Sequence, residues 1–360
     1  MTEFLKAVFG NSAALAVFLV ASSLVVLSII SIFVVAFFQG RSVSFWPPSV
    51  GTKPIHQDPL PESAAARKEP ETQQSVLSIS AGTTVITSSG KRVRIESNSY
   101  TGTRASLMRA RDAVEKQVMM KLFWRGLNPS SSAWAEFSRE YKASENLHHR
   151  NIVETIDRGL WNGYPFIIYE FFLGGTLHDL IKARDRITGP EILAIAEQVA
   201  AGIDYAHAEG RVHRDITPSN ILFESDTRGR VAISDFGVAR ILGALESNIT
   251  AVQPGFEGTP AYVAPELLSN KPVTPLSDVY GFGVVLFEMI AGQCPFAEVA
   301  SVYDLFDQKV NRPVPRLISF RKVPADLDQR LFETLAADPK DRPQNARTVL
   351  SGIEASLLSL

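Results

Sequence analysis

The sequence predicts an α+β fold of two lobes, a small antiparallel sheet with one helix followed by a larger, mainly helical lobe, preceded by one transmembrane helix. Three observations carry this. The first 40 residues hold one long uncharged apolar run. From about Ser75 the chain breaks into short β-branched segments separated by Gly, Ser and Asn. Beyond the "GGTL" at 174–177, apolar residues recur at helical spacing. A strand-rich half followed by a helix-rich half predicts two packed lobes with a cleft between them.

The apolar run comes first in the chain. No charge lies between Lys6 and Arg41, and residues 13–38 are apolar almost throughout. At about 26 residues the run exceeds the roughly 20 that span a bilayer. It ends "VVAFFQGR", which offers no small-residue cleavage site, so residues 1–40 read as a retained anchor. Lys6 on one side against Arg41 and Lys53 on the other leans the C-terminal side toward the cytoplasm, as a single-pass protein of the cell's inner membrane. Residues 41–74 are rich in proline and polar residues without a sustained period, and read as an extended linker.

Residues 75–91 form a strand-like lead-in, "SVLSIS" and "TTVITS". "KRVRIES", "ASLMRARD" and "KQVMMKLF" then predict three more antiparallel strands. Ser131 or Ser132 caps a helix whose Trp134, Phe137, Tyr141 and Leu147 share one face. Glu140 lies on that same face, and a carboxylate on an apolar stripe requires a partner. "YPFIIYEFF" is a further strand. Residues 190–208 place Ile192, Ile195, Val199, Ile203 and Ala206 on one helix face, which stops at Gly210. "NILFES" and "RVAIS" predict a short hairpin, and "SDVYGFGVVLFEMIAG" is apolar all round, as a helix buried inside a lobe is.

Composition excludes several classes. The 360 residues carry a net charge of −2, with both signs intermixed and no basic block, so nucleic acid is not expected as a partner. Cys294 is the single cysteine, which rules out an intrachain disulfide or a cysteine-based zinc site. The six histidines show no His-Glu-x-x-His spacing, and His148 and His149 beside Arg150 read as surface loop residues.

Four short motifs remain: "VMMKLF", "VHRDITPSN", "ISDFGVAR" and "GTPAYVAPE". In this order and spacing, from about residue 92 to 358, the chain resembles the eukaryotic-like serine/threonine protein kinases of bacteria. The resemblance implies transfer of the ATP γ-phosphate with magnesium to Ser or Thr of protein substrates. It implies Lys121 on the α- and β-phosphates, with Glu140 as its paired acid. It implies Asp215 as the acceptor of the hydroxyl proton, and Asn220 and Asp235 as magnesium ligands. "IIYEFF" resembles the hinge, where backbone groups near Glu170 and Phe172 would bond adenine. Glu266 would pair with Arg342, and Asp278 opens the buried helix.

Arg214 beside Asp215 resembles the subtype whose activation segment is ordered by phosphorylation. Thr250, then Ser247, are the expected autophosphorylation sites, and dimerisation is a route to modification in trans. Tyrosine-directed relatives carry arginine near positions 217 and 219, where this chain has Thr217 and Ser219.

Two departures bear on activity. "YTGTRA" keeps only Gly102 of the three glycines of the phosphate loop, with Tyr100 and Ala105 at the other positions and Arg104 at the tip. Thr217 replaces a lysine that neutralises the γ-phosphate, and losing one such donor costs about 3 kcal/mol of transition-state stabilisation. The residues without a substitute are present, so an active enzyme is expected; a nucleotide-binding pseudokinase scaffold is the alternative.

Overall fold

The computed structural model describes residues 79–101, 105–123, 132–183, 186–227, 229–236, 259–268, 271–296 and 302–360. The expected anchor, the whole linker, residues 75–78 of the lead-in, Gly102, Arg104, Ser247 and Thr250 lie outside them. Among the described residues no helix is long and apolar enough to cross a membrane.

The small lobe is one antiparallel sheet. Its strands are β1 (Thr84–Ile86), β2 (Arg92–Thr101), β3 (Ala105–Arg111), β4 (Gln117–Phe123), β5 (Thr155–Trp161) and β6 (Tyr164–Glu170), in the order β1-β2-β3-β4-β6-β5. Alternation sets its faces: Ser106, Met108 and Ala110 of β3 are buried, as are Val118, Met120 and Leu122 of β4. The two ends of the sheet meet. Thr87 bridges Gly159, and the Ser88 amide donates to the Arg158 carbonyl at 2.7 Å.

Strand β2 is longer than its sequence predicts. The polar "SNSY" continues the strand instead of turning, and the pairing with β3 shifts register between Ile95 and Ser97 and again between Asn98 and Tyr100. Such irregularities accommodate residues that fit a pleat poorly.

Helix α1 (Ser132–Ser144) packs on this sheet, with Phe137 edge-on to Phe123 at 5.7 Å. The helix stops before Leu147, which the stripe had included. The chain turns at Asn146 (φ 66°), and Leu147 is buried from the following loop. Of the two surface histidines, His148 is exposed, whereas His149 is half-buried and stacks on Tyr205 at 4.9 Å.

The helical lobe contains α2 (Leu177–Ala183), α3 (Gly189–Ala208), α4 (Pro265–Leu268), α5 (Pro275–Ala291), α6 (Val302–Asn311), α7 (Ala325–Thr334), α8 (Ala346–Leu350) and α9 (Glu354–Leu358). Glu191 in the first turn of α3 accepts the Thr188 amide at 3.1 Å, satisfying one of the free donors at that end. Every residue of α5 from Ser277 to Ile290 is buried, as its all-round apolar sequence requires. Gly292 ends the helix in the left-handed region (φ 77°), donating back to the Glu288 carbonyl at 2.8 Å. The hairpin is present as β7 (Ile221–Phe223) and β8 (Val231–Ile233).

Candidate active site

Lys121 points from β4 to the face opposite the sheet's apolar interior, toward α1. Its Nζ lies 2.8 and 2.9 Å from the two Glu140 oxygens and 2.6 Å from Asp235 Oδ1. The carboxylate on the apolar stripe thus has its partner. Burial alone would lower the Lys121 ammonium, but the Asp235 and Glu140 carboxylates outweigh it and hold the group above its ordinary value. Burial pushes the Glu140 carboxyl upward, against the pull of Lys121.

Glu140 has a second donor that the motifs did not reveal. Tyr169, buried at the end of β6, places its hydroxyl 2.6 Å from Glu140 Oε1. The backbone of Glu140 is tied as well, because Ser144 Oγ donates to its carbonyl at 2.9 Å and receives Thr155 Oγ1 at 2.9 Å. A tyrosine ending the aliphatic run "PFIIY" was the available signal, since a buried phenol seeks an acceptor.

The loop 213–220 is fastened from below by Asp278 in the first turn of α5. Its carboxylate accepts the His213 amide at 2.8 Å, the Arg214 amide at 2.6 Å and His207 Nε2 at 2.7 Å. That anchoring holds Arg214 at φ 73°, a conformation few side chains adopt, with its guanidinium exposed. Asn220 Nδ2 donates to Asp215 twice, to the carbonyl at 2.8 Å and to Oδ2 at 3.0 Å. The amide oxygen of Asn220 is therefore left at the other end of the carboxamide.

The hairpin brings the metal-ligand candidates together. The Ser234 amide donates to the Asn220 carbonyl at 2.8 Å, so Asn220 and Asp235 leave adjacent strands side by side. His213 reinforces this, giving a hydrogen bond from Nε2 to the Ser234 carbonyl at 2.8 Å while Nδ1 accepts the Asp215 amide at 3.2 Å. Asp235 itself sits at φ 61°. Strained backbone of this kind persists only where its surroundings enforce it.

At the hinge, the Glu170 amide is already spent on the Glu154 carbonyl at 3.0 Å, and its side chain forms a two-pronged pair with Arg230 at 2.6 and 3.0 Å. Arg230 also covers the Phe172 ring and donates to the Arg150 carbonyl. That makes Arg230 a second residue the motifs did not single out. Glu266 and Arg342 pair as expected, at 2.9 and 2.8 Å, with Ser277 Oγ adding 2.7 Å. The pairing with Arg342 outweighs burial and holds the Glu266 carboxyl below its ordinary value. Thr217 is buried at the start of the Pro218–Asn220 turn and makes no capping bond with its side chain.

A sheet lobe and a helical lobe, with a lysine–carboxylate cluster and an Asp–Asn loop where they meet, define the two-lobed kinase class. Residues 101–351 match the protein kinase domain, and the chain belongs to that family. It is 30% identical over 266 residues to the serine/threonine-protein kinase PknL of Mycobacterium tuberculosis, covering 73% of this chain and 65% of that one. It is 34% identical over 243 residues to the serine/threonine-protein kinase A of Synechocystis, covering 64% of this chain and 46% of that one. The crystal structure of the Mycobacterium tuberculosis PknI kinase domain shares the fold, with TM-score 0.59 and 23% identity over 78% of this chain and 99% of that one.

Proposed function

We propose that this chain is an active, membrane-anchored serine/threonine protein kinase that uses magnesium-ATP. The assembled Lys121–Glu140–Asp235 cluster carries the reading, because a buried carboxylate has already fixed the lysine that phosphates need. The donor set suits magnesium, which takes one or two protein oxygens and leaves the rest of its sphere to phosphates and water. Among the described residues no cluster of three or more His, Cys, Asp or Glu could hold a metal alone, in keeping with a cation completed by substrate.

Magnesium-ATP would supply the phosphoryl group and the charge that offsets its transfer. Asp235 and the Asn220 amide oxygen would hold the cation. Lys121, kept in line by Glu140, would draw the α- and β-phosphate oxygens into register. Glu170 would offer adenine its carbonyl, its amide being engaged in the sheet. Asp215, oriented by Asn220, would take the proton from a Ser or Thr hydroxyl as its oxygen bonds to phosphorus and the bond to the leaving ADP breaks. The names of the kinase relatives and the Thr217–Ser219 pair both support serine/threonine acceptors.

Labelled ATP, magnesium and the full chain in detergent test this reading. We expect transfer to protein acceptors that Asp215→Asn and Asp235→Asn each abolish, with Asp235→Asn also weakening magnesium-dependent ATP binding. Nucleotide binding without turnover would favour the pseudokinase scaffold, a reading motivated by Thr217 and the single glycine of the phosphate loop.

The uncharged run at 13–38 supports the anchor, and the flanking charges support a kinase domain on the cytoplasmic side, where ATP is found. Protease added to intact cells should then spare the C-terminal portion, and digestion refutes the topology. The exposed guanidinium of Arg214 supports regulation by phosphate on Thr250 or Ser247, added in trans within a dimer. Phosphopeptide mapping of an active preparation that finds neither site modified refutes that regulation.

A further inference from the structure

Lys309 is a lysine that the catalytic reading leaves unused. It lies on α6 and is 1% exposed. Its Nζ donates to two backbone carbonyls, Ala261 at 2.5 Å and Val263 at 2.7 Å. The faces of Tyr280 and Phe296 lie 5.1 and 5.4 Å away. Between those carbonyls, the Tyr262 hydroxyl donates to Glu288 Oε2 at 2.6 Å. Three successive residues are therefore held at three points from inside the lobe.

Residues 261–263 adjoin the catalytic loop. Gly281 of α5 marks the meeting place: a Cβ there would lie 3.2 Å from Ile216 Cβ, 3.3 Å from the Ile216 carbonyl oxygen and 3.6 Å from that of Tyr262. Ile216 follows Asp215 directly. Residues 261–263 therefore share a packing neighbour with the residue that follows Asp215, the group an acceptor hydroxyl has to reach. Burying an ammonium is expensive, and here desolvation pushes it down to about 7. Such a group persists where it fixes a backbone that packing alone would not.

We propose that Lys309 is a positioning residue for the acceptor protein: it pins the carbonyls of Ala261 and Val263 so that 261–263 forms the platform for the extended segment carrying the target Ser or Thr. This rests on the kinase reading above, and it assigns Lys309 no part in holding ATP.

The test uses the full chain in detergent, with myelin basic protein as acceptor. Lys309→Met keeps the length and apolar stem but removes the donors. Its acceptor KM should rise about tenfold, from the loss of the two hydrogen bonds that hold the platform. The KM for ATP and the slow hydrolysis of ATP by water should stay at wild-type values, since neither uses the platform. Lys309→Arg, which keeps the charge and donors, should restore the acceptor KM in part.

An unchanged acceptor KM in Lys309→Met overturns the proposal. So does a joint loss of ATP hydrolysis and thermal stability in both variants, which would make Lys309 a support for the whole lobe. Fluorescence anisotropy of labelled myelin basic protein reads the platform without any transfer. Wild type that binds this probe tighter than Lys309→Met yet transfers no phosphate would sink the kinase reading and leave the platform standing; equal binding by the two overturns the platform.

Discussion

Replacing Tyr169 by phenylalanine removes one oxygen from the site and leaves its ring in place. That oxygen lies 2.6 Å from Glu140 Oε1, which otherwise receives Lys121 at 2.8 Å. Tyr169 is 8% exposed and Glu140 1%, so water cannot readily replace the lost donor. A hydrogen bond to a charged group contributes about 1.5–3 kcal/mol, of which the surviving Lys121 contact retains part. A loss of about 1.4 kcal/mol in the alignment of Lys121 would lower kcat about tenfold.

A second readout is independent of that magnitude. The Tyr169 hydroxyl stabilises the Glu140 carboxylate, while burial pushes its carboxyl upward. Without the hydroxyl, the carboxyl rises further and takes up a proton at a higher pH, so the acid limb of the pH–rate profile should move up. Steady-state kinetics across pH on wild type and Tyr169→Phe make the comparison. An unchanged kcat with an unmoved acid limb refutes the idea that Tyr169 holds Glu140 for catalysis.

Thr217→Lys should raise kcat with little change in ATP affinity, by about one power of ten, because the restored cation acts mainly on the transition state. Equal or lower turnover in a folded variant refutes the claim that the missing lysine limits the enzyme. Arg342→Ala strands the buried Glu266 carboxylate and should lower stability by about 3–5 kcal/mol in urea unfolding, whereas a loss near the ~1 kcal/mol of a surface pair refutes it. The folded-state value of Lys309, about 7, lies below its ordinary ~10.4, so between those values the unfolded chain binds the extra proton. Stability of wild type relative to Lys309→Met should therefore climb as pH rises through that window. The Cys294 thiol, which burial holds near 12, does not titrate within it. Urea midpoints of the two proteins that keep a constant difference from pH 7 to about 10 refute the linkage.

The parts of the site that were legible in the sequence were those where a residue contradicts its own surroundings. Glu140 on an apolar stripe required a partner, the kinase resemblance pointed to Lys121, and the two meet across 19 positions of chain. The hairpin that sets Asn220 beside Asp235 followed from two short β-branched runs around a polar turn. Tyr169 and Arg230 were not legible, because a tyrosine ending a strand and an arginine beginning one are ordinary residues until their partners are known. Lys309 did leave a mark. It falls four residues after Leu305, on the buried side of α6, so it too is a charge on an apolar face. The run through β2 departs from its sequence pattern for a different reason. Serines and asparagines signal turns locally, but pairing with β3 along most of the length overrides that preference.

The meeting of β1 with β5 changes what counts as the beginning of the folded unit. A sheet of six strands ordinarily leaves two rims of unpaired amides and carbonyls, and such rims recruit stray strands from other molecules. Here the two rims touch, through Thr87 against Gly159 and Ser88 against Arg158, so neither is open along its whole length. Val85 and Ile79 also enter the interior of the lobe, both 2% exposed. A chain trimmed to the 101–351 span that matches the kinase domain would forfeit β1 and nearly all of β2, uncover the flank of β5 and hollow the lobe beneath Lys121. The smallest piece able to keep itself dispersed in water therefore begins no later than Ile79.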